Sequence, residues 1–286
     1  MTPRIAITGA RGYLGSTLAR HFRGQGRTVN AWHRGAEAGS RYELGGNLKA
    51  LDWDGIEAVV HCAYDFRARG WEEIRRINVE GTLDLMRETL SRRARFVFIS
   101  SMSSYDGCQS LYGRAKLTVE KEVLKAGCAA IRPGLIYGDP PGGLFATLCR
   151  AVRLTPLLPM IGLGAFPQYL AHDGDLARLL LAVATGQLAL PASPLSAAHP
   201  RAVLFRDLVR VIASRQGRRI TFVPVPWRLI HAAMTCAESA GLRLSFRADS
   251  LVGLVFANPA PDFEMPAGYE FRPFSQSSLT IDHREH

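Results

Sequence analysis

The sequence predicts an α/β fold, a doubly wound parallel sheet with a smaller C-terminal lobe, and three observations predict it. The first half alternates short apolar strand-like runs with longer runs of helical period, the mark of parallel strands joined by crossover helices. A glycine-rich turn follows the first strand and opens the first helix. After about Gly134 the alternation gives way to stretches punctuated by proline and glycine, DPPGG and LTPLLPMIGLG, where a second lobe begins.

Strands are expected at Arg4–Thr8, Thr28–His33, Ala58–Cys62, Phe96–Ser100 and Ala129–Pro133. Helices are expected at Tyr13–Arg23, Trp71–Leu90, Tyr112–Lys125 and Asp173–Thr185, the last opened by an acidic cap. In the second half, helical patterns at Phe205–Ser214 and Trp227–Ala240 flank a short strand, Ile220–Val223. Residues 1–160, with 172–190 returning, make the sheet domain; 161–286 make mainly the lobe. The lobe is expected over the carboxyl ends of the strands, where open α/β sheets keep their ligand crevice. Ser275 to His286 read as a solvated tail.

Composition narrows the function classes. Nearly half of the 286 residues are apolar and mean hydropathy is +0.01, as expected of a soluble globular chain. No apolar run reaches the eighteen or so residues that span a bilayer, and Arg4 to Thr8 begins a strand where a secretory leader would stand. Cys62, Cys108, Cys128, Cys149 and Cys236 are scattered, odd in number and free of CxxC spacing, which argues against disulfides and zinc. We therefore expect a cytoplasmic protein with no metal and no membrane partner. The net charge of +10 is spread without a basic block or a nucleic-acid motif, so no nucleic-acid partner is expected. Such a field suits an anionic cofactor or substrate.

The glycine turn is Thr8-Gly9-Ala10-Arg11-Gly12-Tyr13-Leu14-Gly15. Gly9 allows the tight turn, Gly12 lets a pyrophosphate approach the backbone, and Gly15 lets helix and strand pack closely. The helix end that begins with Tyr13 and Leu14 offers free N–H groups and a positive dipole to that pyrophosphate. This is the dinucleotide-binding device of a Rossmann-type fold. An acidic residue at the end of the second strand would hold ribose hydroxyls and select NAD. Trp32-His33-Arg34 stands there instead, with Arg11 inside the loop. Two guanidinium groups suit a 2′-phosphate. The reading favours NADP(H), with NAD(H) the alternative.

Tyr112-Gly113-Arg114-Ala115-Lys116 sets a phenol and an ammonium at i and i+4 on one helix face. A free phenol titrates near ~10, and lowering it by about three units needs roughly 4 kcal/mol from Lys116 and an oxidised nicotinamide ring together. Just upstream, Ser100-Ser101-Met102-Ser103-Ser104 closes a strand, and a serine there can hold the reacting oxygen for Tyr112.

With these residues in view, the chain resembles the extended short-chain dehydrogenase/reductase superfamily, also called the NAD-dependent epimerase/dehydratase family. The resemblance runs from about Pro3 to Ala184. TGARGYLG at 8–15, AVVHCAY at 58–64, INVEGT at 77–82, FVFISS at 96–101, YGRAK at 112–116, IRPGLIYG at 131–138 and HDGDLA at 172–177 carry it. It implies an NAD(P)-dependent enzyme with Ser101, Tyr112 and Lys116 as catalytic trio, Lys116 also holding the nicotinamide ribose. It implies Asn78 as a supporting residue, Ala63 and Pro133 along the cofactor groove, and Asn47 near the adenine. Ser101, Met102 and Ser103 would face the substrate.

The chain departs from nucleotide-sugar members in two places. Only ten residues separate Ser101 from Tyr112, and Leu135 stands where many of them place an asparagine. ITFVPVPWRLIHAAM nevertheless resembles the substrate lobe of polysaccharide-pathway members. The expected substrate is a nucleotide-linked sugar, reduced or epimerised; the alternative is a hydrophobic ketone or alcohol, and a third reading is a non-catalytic cofactor sensor. The resemblance also implies a homodimer through the helices Trp71–Leu90 and Tyr112–Lys125.

Overall fold

The computed structural model describes residues 3–189, 192–242, 244 and 246–274; the expected tail, 275–286, lies outside them. The chain opens with strand β1 (Arg4–Thr8), helix α1 (Tyr13–Gly24), β2 (Thr28–Trp32) and β3 (Ile56–His61). Helix α2 (Gly70–Ile74) runs through a π-helical turn, Arg75–Glu80, into α3 (Gly81–Ser91). Strand β4 (Arg95–Ile99), α4 (Leu111–Lys125) and β5 (Ala129–Pro133) follow. Next come β6 (Leu135–Tyr137), α5 (Gly143–Leu154), β7 (Leu157–Ile161), β8 (Pro167–Gln168), β9 (Leu170–His172) and α6 (Asp173–Ala184). The last are β10 (Leu195–Ala197), β11 (Val203–Leu204), α7 (Phe205–Arg215), β12 (Thr221–Val225), α8 (Trp227–Ser239) and α9 (Ala248–Val255).

The central sheet has the order β10-β5-β4-β3-β1-β2, and every neighbouring pair is parallel. The chain leaves β1 for β2 on one side and returns to β3 on the other. The gap between the ends of β1 and β3 is the topological switch point, where such folds bind ligands. Both faces of the sheet are buried, and each strand divides its side chains between them. Ile5, Ile7, Val60, Val97, Ile99 and Ile131 pack toward α1 and α6. Ala6, Val59, Phe96, Phe98 and Ala130 pack toward α3 and α4. Two-sided burial explains why these strands read as continuous apolar runs.

Three expected elements change in detail. The helix expected over Trp71–Leu90 is interrupted by the π-turn, which buries Asn78 and Val79; π-bulges of this kind gather at functional sites. Strand β2 stops at Trp32, because His33 already belongs to a loop in which its N–H donates to Ser40 and its carbonyl accepts from Tyr42. The cap of α6 is His172, whose Nδ1 accepts from the Gly174 N–H at 3.0 Å; Asp173 sits one residue inside.

The second core gathers Tyr137, Phe145, Cys149, Leu170, Leu208 and Ile212 between α5, α7 and the β6–β9 pair. A parallel ribbon, β7–β12, and a two-residue antiparallel pair, β8–β11, border it. Arg272 is clamped to the buried Asp175 of α6 through its Nε (2.9 Å), Nη2 (2.7 Å) and backbone N–H (3.0 Å), which fixes the end of the described chain on the sheet domain. Helix α8 has no buried residue.

Candidate active site

The site grows from the ends of β1, β3, β4 and β5. Gly9 has φ +66°, and a Cβ there would lie 3.0 Å from the Cα and N of Ala63 at the end of β3. A Cβ on Gly15 would lie 2.4 Å from the Gly9 carbonyl oxygen, and one on Gly12 would be 3.2 Å from the same atom. The Gly12 N–H donates to Gly9 at 2.8 Å. The three glycines therefore allow loop, helix and β3 to touch backbone to backbone. Gly12 caps α1 and no side-chain cap bonds its free N–H groups, so the positive end of the helix faces the switch point. Tyr13 turns its ring onto Gly142 and donates its hydroxyl to Asp173 at 3.1 Å. Leu14 packs into the core beneath the loop.

A four-residue chain of hydrogen bonds locks β1 to β3 and to the π-turn, and its directions follow from donor counting. The Thr82 hydroxyl donates to the Asn78 carbonyl at 2.6 Å, so it accepts from His61 Nε2 at 3.0 Å. His61 Nδ1 is then the acceptor for the Thr8 hydroxyl at 2.8 Å. The Thr8 oxygen in turn takes the N–H groups of Cys62 and Ala63, each at 3.2 Å. Burial, helped by the charge of Lys116, drives His61 down to about 3 and keeps this ring neutral. The Asn78 amide clamps the backbone of Asp65 from both sides, accepting its N–H at 2.7 Å and donating to its carbonyl at 3.1 Å.

Ser101, Tyr112 and Lys116 come together. Ser101 lies close enough to Tyr112 to act on its phenol. Burial pushes the Tyr112 phenol up to about 12, and Ser101 works against that rise. The lowered phenol argued from the Tyr–Lys spacing is therefore absent from the protein by itself, because desolvation outweighs the opposing effect of Ser101. Lys116 is 4% exposed and donates to the Ile99 carbonyl at 2.7 Å. Its Nζ lies 4.7, 5.4 and 5.8 Å from the ring centres of Phe98, Tyr64 and Tyr112. Burial lowers it to about 8, although Cys62 and Glu120 act in the other direction. Glu120, one turn further along α4, is buried and paired with Arg132 through Nε at 2.9 Å.

Aromatic rings wall Tyr112. Tyr64 meets it edge-on at 4.9 Å and Phe66 stacks at 5.8 Å. The second lobe closes the other side. The Asp249 carboxylate of α9 accepts the N–H groups of Leu111 (2.7 Å) and Tyr112 (2.9 Å), joining Ser110, whose Oγ accepts from Gly113 at 3.0 Å, in capping α4. The Tyr105 hydroxyl donates to the Phe256 carbonyl at 2.8 Å. Arg247 is committed to the Phe66 carbonyl and to Glu238.

Other expected site residues spread along the same crevice, with Asn47 apart from it. Pro133 ends β5 beside Ala197, and its carbonyl accepts from the Met102 N–H. The Ser103 N–H donates to Ser101 Oγ at 3.1 Å. Arg11 lies against Gly35 and depresses His33, after the burial that chiefly lowers it. Arg34 turns instead to Asp65 at 3.5 Å, beside Arg67 at 2.6 Å. The exposed Asn47 accepts from the Lys49 N–H and lines a cleft of about 330 Å³ that the glycine loop does not border.

This constellation has a counterpart among known proteins. A model of the NAD dependent epimerase/dehydratase family matches residues 5–187, nearly two thirds of the chain. The chain belongs to that family. Its fold is that of the extended short-chain dehydrogenase/reductase type. A curated relative, the ceramide reductase of Caulobacter vibrioides, is 31% identical over 175 residues, 55% of this chain and 53% of that protein. The matched stretch thus spans about half the relative's length. MoeE5, solved with UDP-glucuronic acid and NAD, is 26% identical, with a TM-score of 0.63 over 78% of this chain and 85% of its own. RMD from Pseudomonas aeruginosa, solved with NADPH, shares the fold at 18% identity, with a TM-score of 0.65 over 89% and 98% of the two chains. A dinucleotide fits the residues present: the crowded glycine cradle, the α1 end with no side-chain cap, and a buried His33 Nδ1 without a partner beside Arg11.

Sequence reasoning missed Tyr64, Phe66, the Thr8–His61–Thr82 relay and Asp249. The first three sit within motifs that were quoted, or two residues beyond them. Asp249 carries no local signal, because its role depends on a contact between lobes.

Proposed function

We propose that the chain is an NADP(H)-dependent reductase that converts a ketone on a long, mainly apolar molecule to an alcohol. The observation that carries this reading is the wall around Tyr112: Tyr64 and Phe66 pack on the phenol, while the nearby Arg247 is tied to protein groups. A sugar diphosphate asks for free guanidinium groups there. The 31% identity to a ceramide reductase supports a keto-lipid of that class.

The bound cofactor supplies hydride to the carbonyl carbon. Ser101 holds the carbonyl oxygen, and Tyr112 gives it the proton that completes the alcohol. Burial keeps Tyr112 protonated at neutral pH, the state an acid needs. Lys116 puts a positive charge beside the phenolate left behind and holds the nicotinamide ribose. Gly9, Gly12 and Gly15, with the N–H groups of Tyr13 and Leu14, cradle the pyrophosphate. Ala63 and Pro133 wall the groove, while Asn47, in a separate cleft, takes no part in it. Arg11 meets the 2′-phosphate; Arg34 joins it by leaving an exposed, weak pair with Asp65. Met102 and Ser103 face the substrate beside Ser101, and Asn78 holds the Asp65 loop against them. The lobe, 161–286, holds the rest of the substrate on its α9 side, which meets the Tyr112 helix, and two copies pair through α3 and α4.

The second reading, a nucleotide-linked sugar as substrate, is supported by the likeness to MoeE5. One assay separates the two: oxidation of NADPH and of NADH by the purified chain with long-chain keto-lipids and with UDP-, ADP- and dTDP-linked keto sugars. Turnover of the lipids with NADPH is expected. Turnover of the sugars alone overturns the substrate class, and a preference for NADH overturns the cofactor.

A further inference from the structure

Outside the crevice, the β7–β12 ribbon presents a surface that the chemistry above does not use. The register pairs Leu157 with Thr221 and Pro159 with Val223, and all four point away from the lobe core. Leu154, at the end of α5, stands just before the ribbon and is 75% exposed. At the other end the Gly162 N–H donates to Val225, which brings Leu163 (74% exposed) beside the first turn of α8 and its Leu229 (62% exposed). Large aliphatic side chains exposed to this extent along one strip are the unusual observation.

The strip's charge is one-sided. From Pro140 to His172 and from Leu208 to Ala237 there is no acidic residue, while the two stretches hold seven arginines. Arg153, Arg218 and Arg219 are exposed near the start of the ribbon and Arg228 near its end. Arg218 bonds the Arg153 carbonyl, so the first group is one patch.

We propose that this strip docks the protein on the surface of an anionic lipid bilayer. Leucines reaching into the acyl boundary with guanidinium groups among anionic headgroups are what an interfacial surface requires. A second copy of the chain fits poorly, because an isologous contact would set these arginines against themselves. The binding is peripheral: among the described residues, no helix is long and apolar enough to cross a membrane. The inference rests on the surface alone and stands apart from the substrate reading.

The test is sedimentation of the full chain, loaded with NADPH, with vesicles of phosphatidylcholine alone and of phosphatidylcholine mixed with phosphatidylglycerol. Binding is expected to the mixed vesicles and to be released by salt. Leu154→Ser/Leu163→Ser/Leu229→Ser and, separately, Arg153→Gln/Arg218→Gln/Arg219→Gln are each expected to weaken it on the order of 100-fold without changing the melting temperature. Failure of the unmodified chain to bind anionic vesicles overturns the proposal, even if the strip captures an acidic protein or a second copy. So does equal binding to both vesicle types, or full binding by the triple variants. Turnover of detergent-dispersed substrate is expected to be unchanged in the leucine variant; a matching loss there would assign the strip to the active site and overturn docking. Vesicle binding by a chain that reduces no keto-lipid would sink the substrate reading and leave docking in place.

Discussion

The sheet domain and the second lobe solve the burial problem differently. In the first, every central strand is covered on both faces, and the functional groups stand at the ends of elements whose interiors are fixed by packing. Lys116, Asn78 and His61 are nearly inaccessible and each has named partners. In the second, short pairs of strands border one small core, and α8 buries none of its residues. Chemistry that needs fixed distances is placed on the rigid half. The proposed substrate and bilayer contacts fall to the open half. The two halves meet at Asp249, where a lobe carboxylate caps the helix that carries Tyr112.

Substitutions ranked by effect can break or sharpen that contrast. The largest loss outside the reacting groups is expected in the glycine cradle. Gly15→Val puts a branched side chain where even a Cβ lies 2.4 Å from the Gly9 oxygen. Overpacking of this kind costs about 1–3 kcal/mol, and calorimetry with NADPH titration should show a lower melting temperature together with lost cofactor affinity. Unchanged affinity would separate the loop from the cofactor.

A smaller effect comes from pH. Burial sets Lys116 near 8 in the folded protein, below its value in the unfolded chain. Between about 8 and about 10 the unfolded chain binds more protons, so this group's contribution to stability rises with pH across that window. Activity should move the opposite way, because the ammonium is lost. The profile of kcat/KM for reduction is expected to fall above about pH 8; a fall that begins only where free lysine or a buried phenol titrates would contradict this assignment.

Asp249→Asn tests the contact between the halves. Loss of a charged cap at a helix N-terminus is expected to cost about 1 kcal/mol, read by thermal unfolding, with a modest fall in kcat. An unchanged kcat would show that the lobe leaves Tyr112 unaffected. On α8, Leu229→Ser removes no buried contact and should change stability by no more than about 0.5 kcal/mol.

The same contrast explains what the sequence disclosed. Strands buried on both faces leave apolar runs, and the glycine spacing and the Tyr112–Lys116 pair are local patterns, so the sheet and the residues gathered at its strand ends were legible. The π-turn was not, because Arg75–Glu80 reads like the helix around it and only the clamp from Asn78 to Asp65 distinguishes it. Strands of two or three residues, such as β6 and β9, are too short for period to register. Helix α5 was hidden because it opens at Gly143, the last residue of DPPGG. Arg34 looked free in the sequence because its partner, Asp65, lies 31 residues away. The expectation of no membrane partner came from the search for a spanning segment, and among the described residues no helix is long and apolar enough to cross a membrane; a peripheral surface strip lies outside what such a search reads.

The central claim is that Tyr112 is the proton donor of a carbonyl reduction and has no part in holding the cofactor. Tyr112→Phe, compared with the unmodified enzyme for NADPH affinity and for kcat on the best substrate of the panel, tests it most directly. Affinity within about two-fold and a kcat lower by roughly 10²–10⁴ is the expected result. An undiminished kcat would contradict the account.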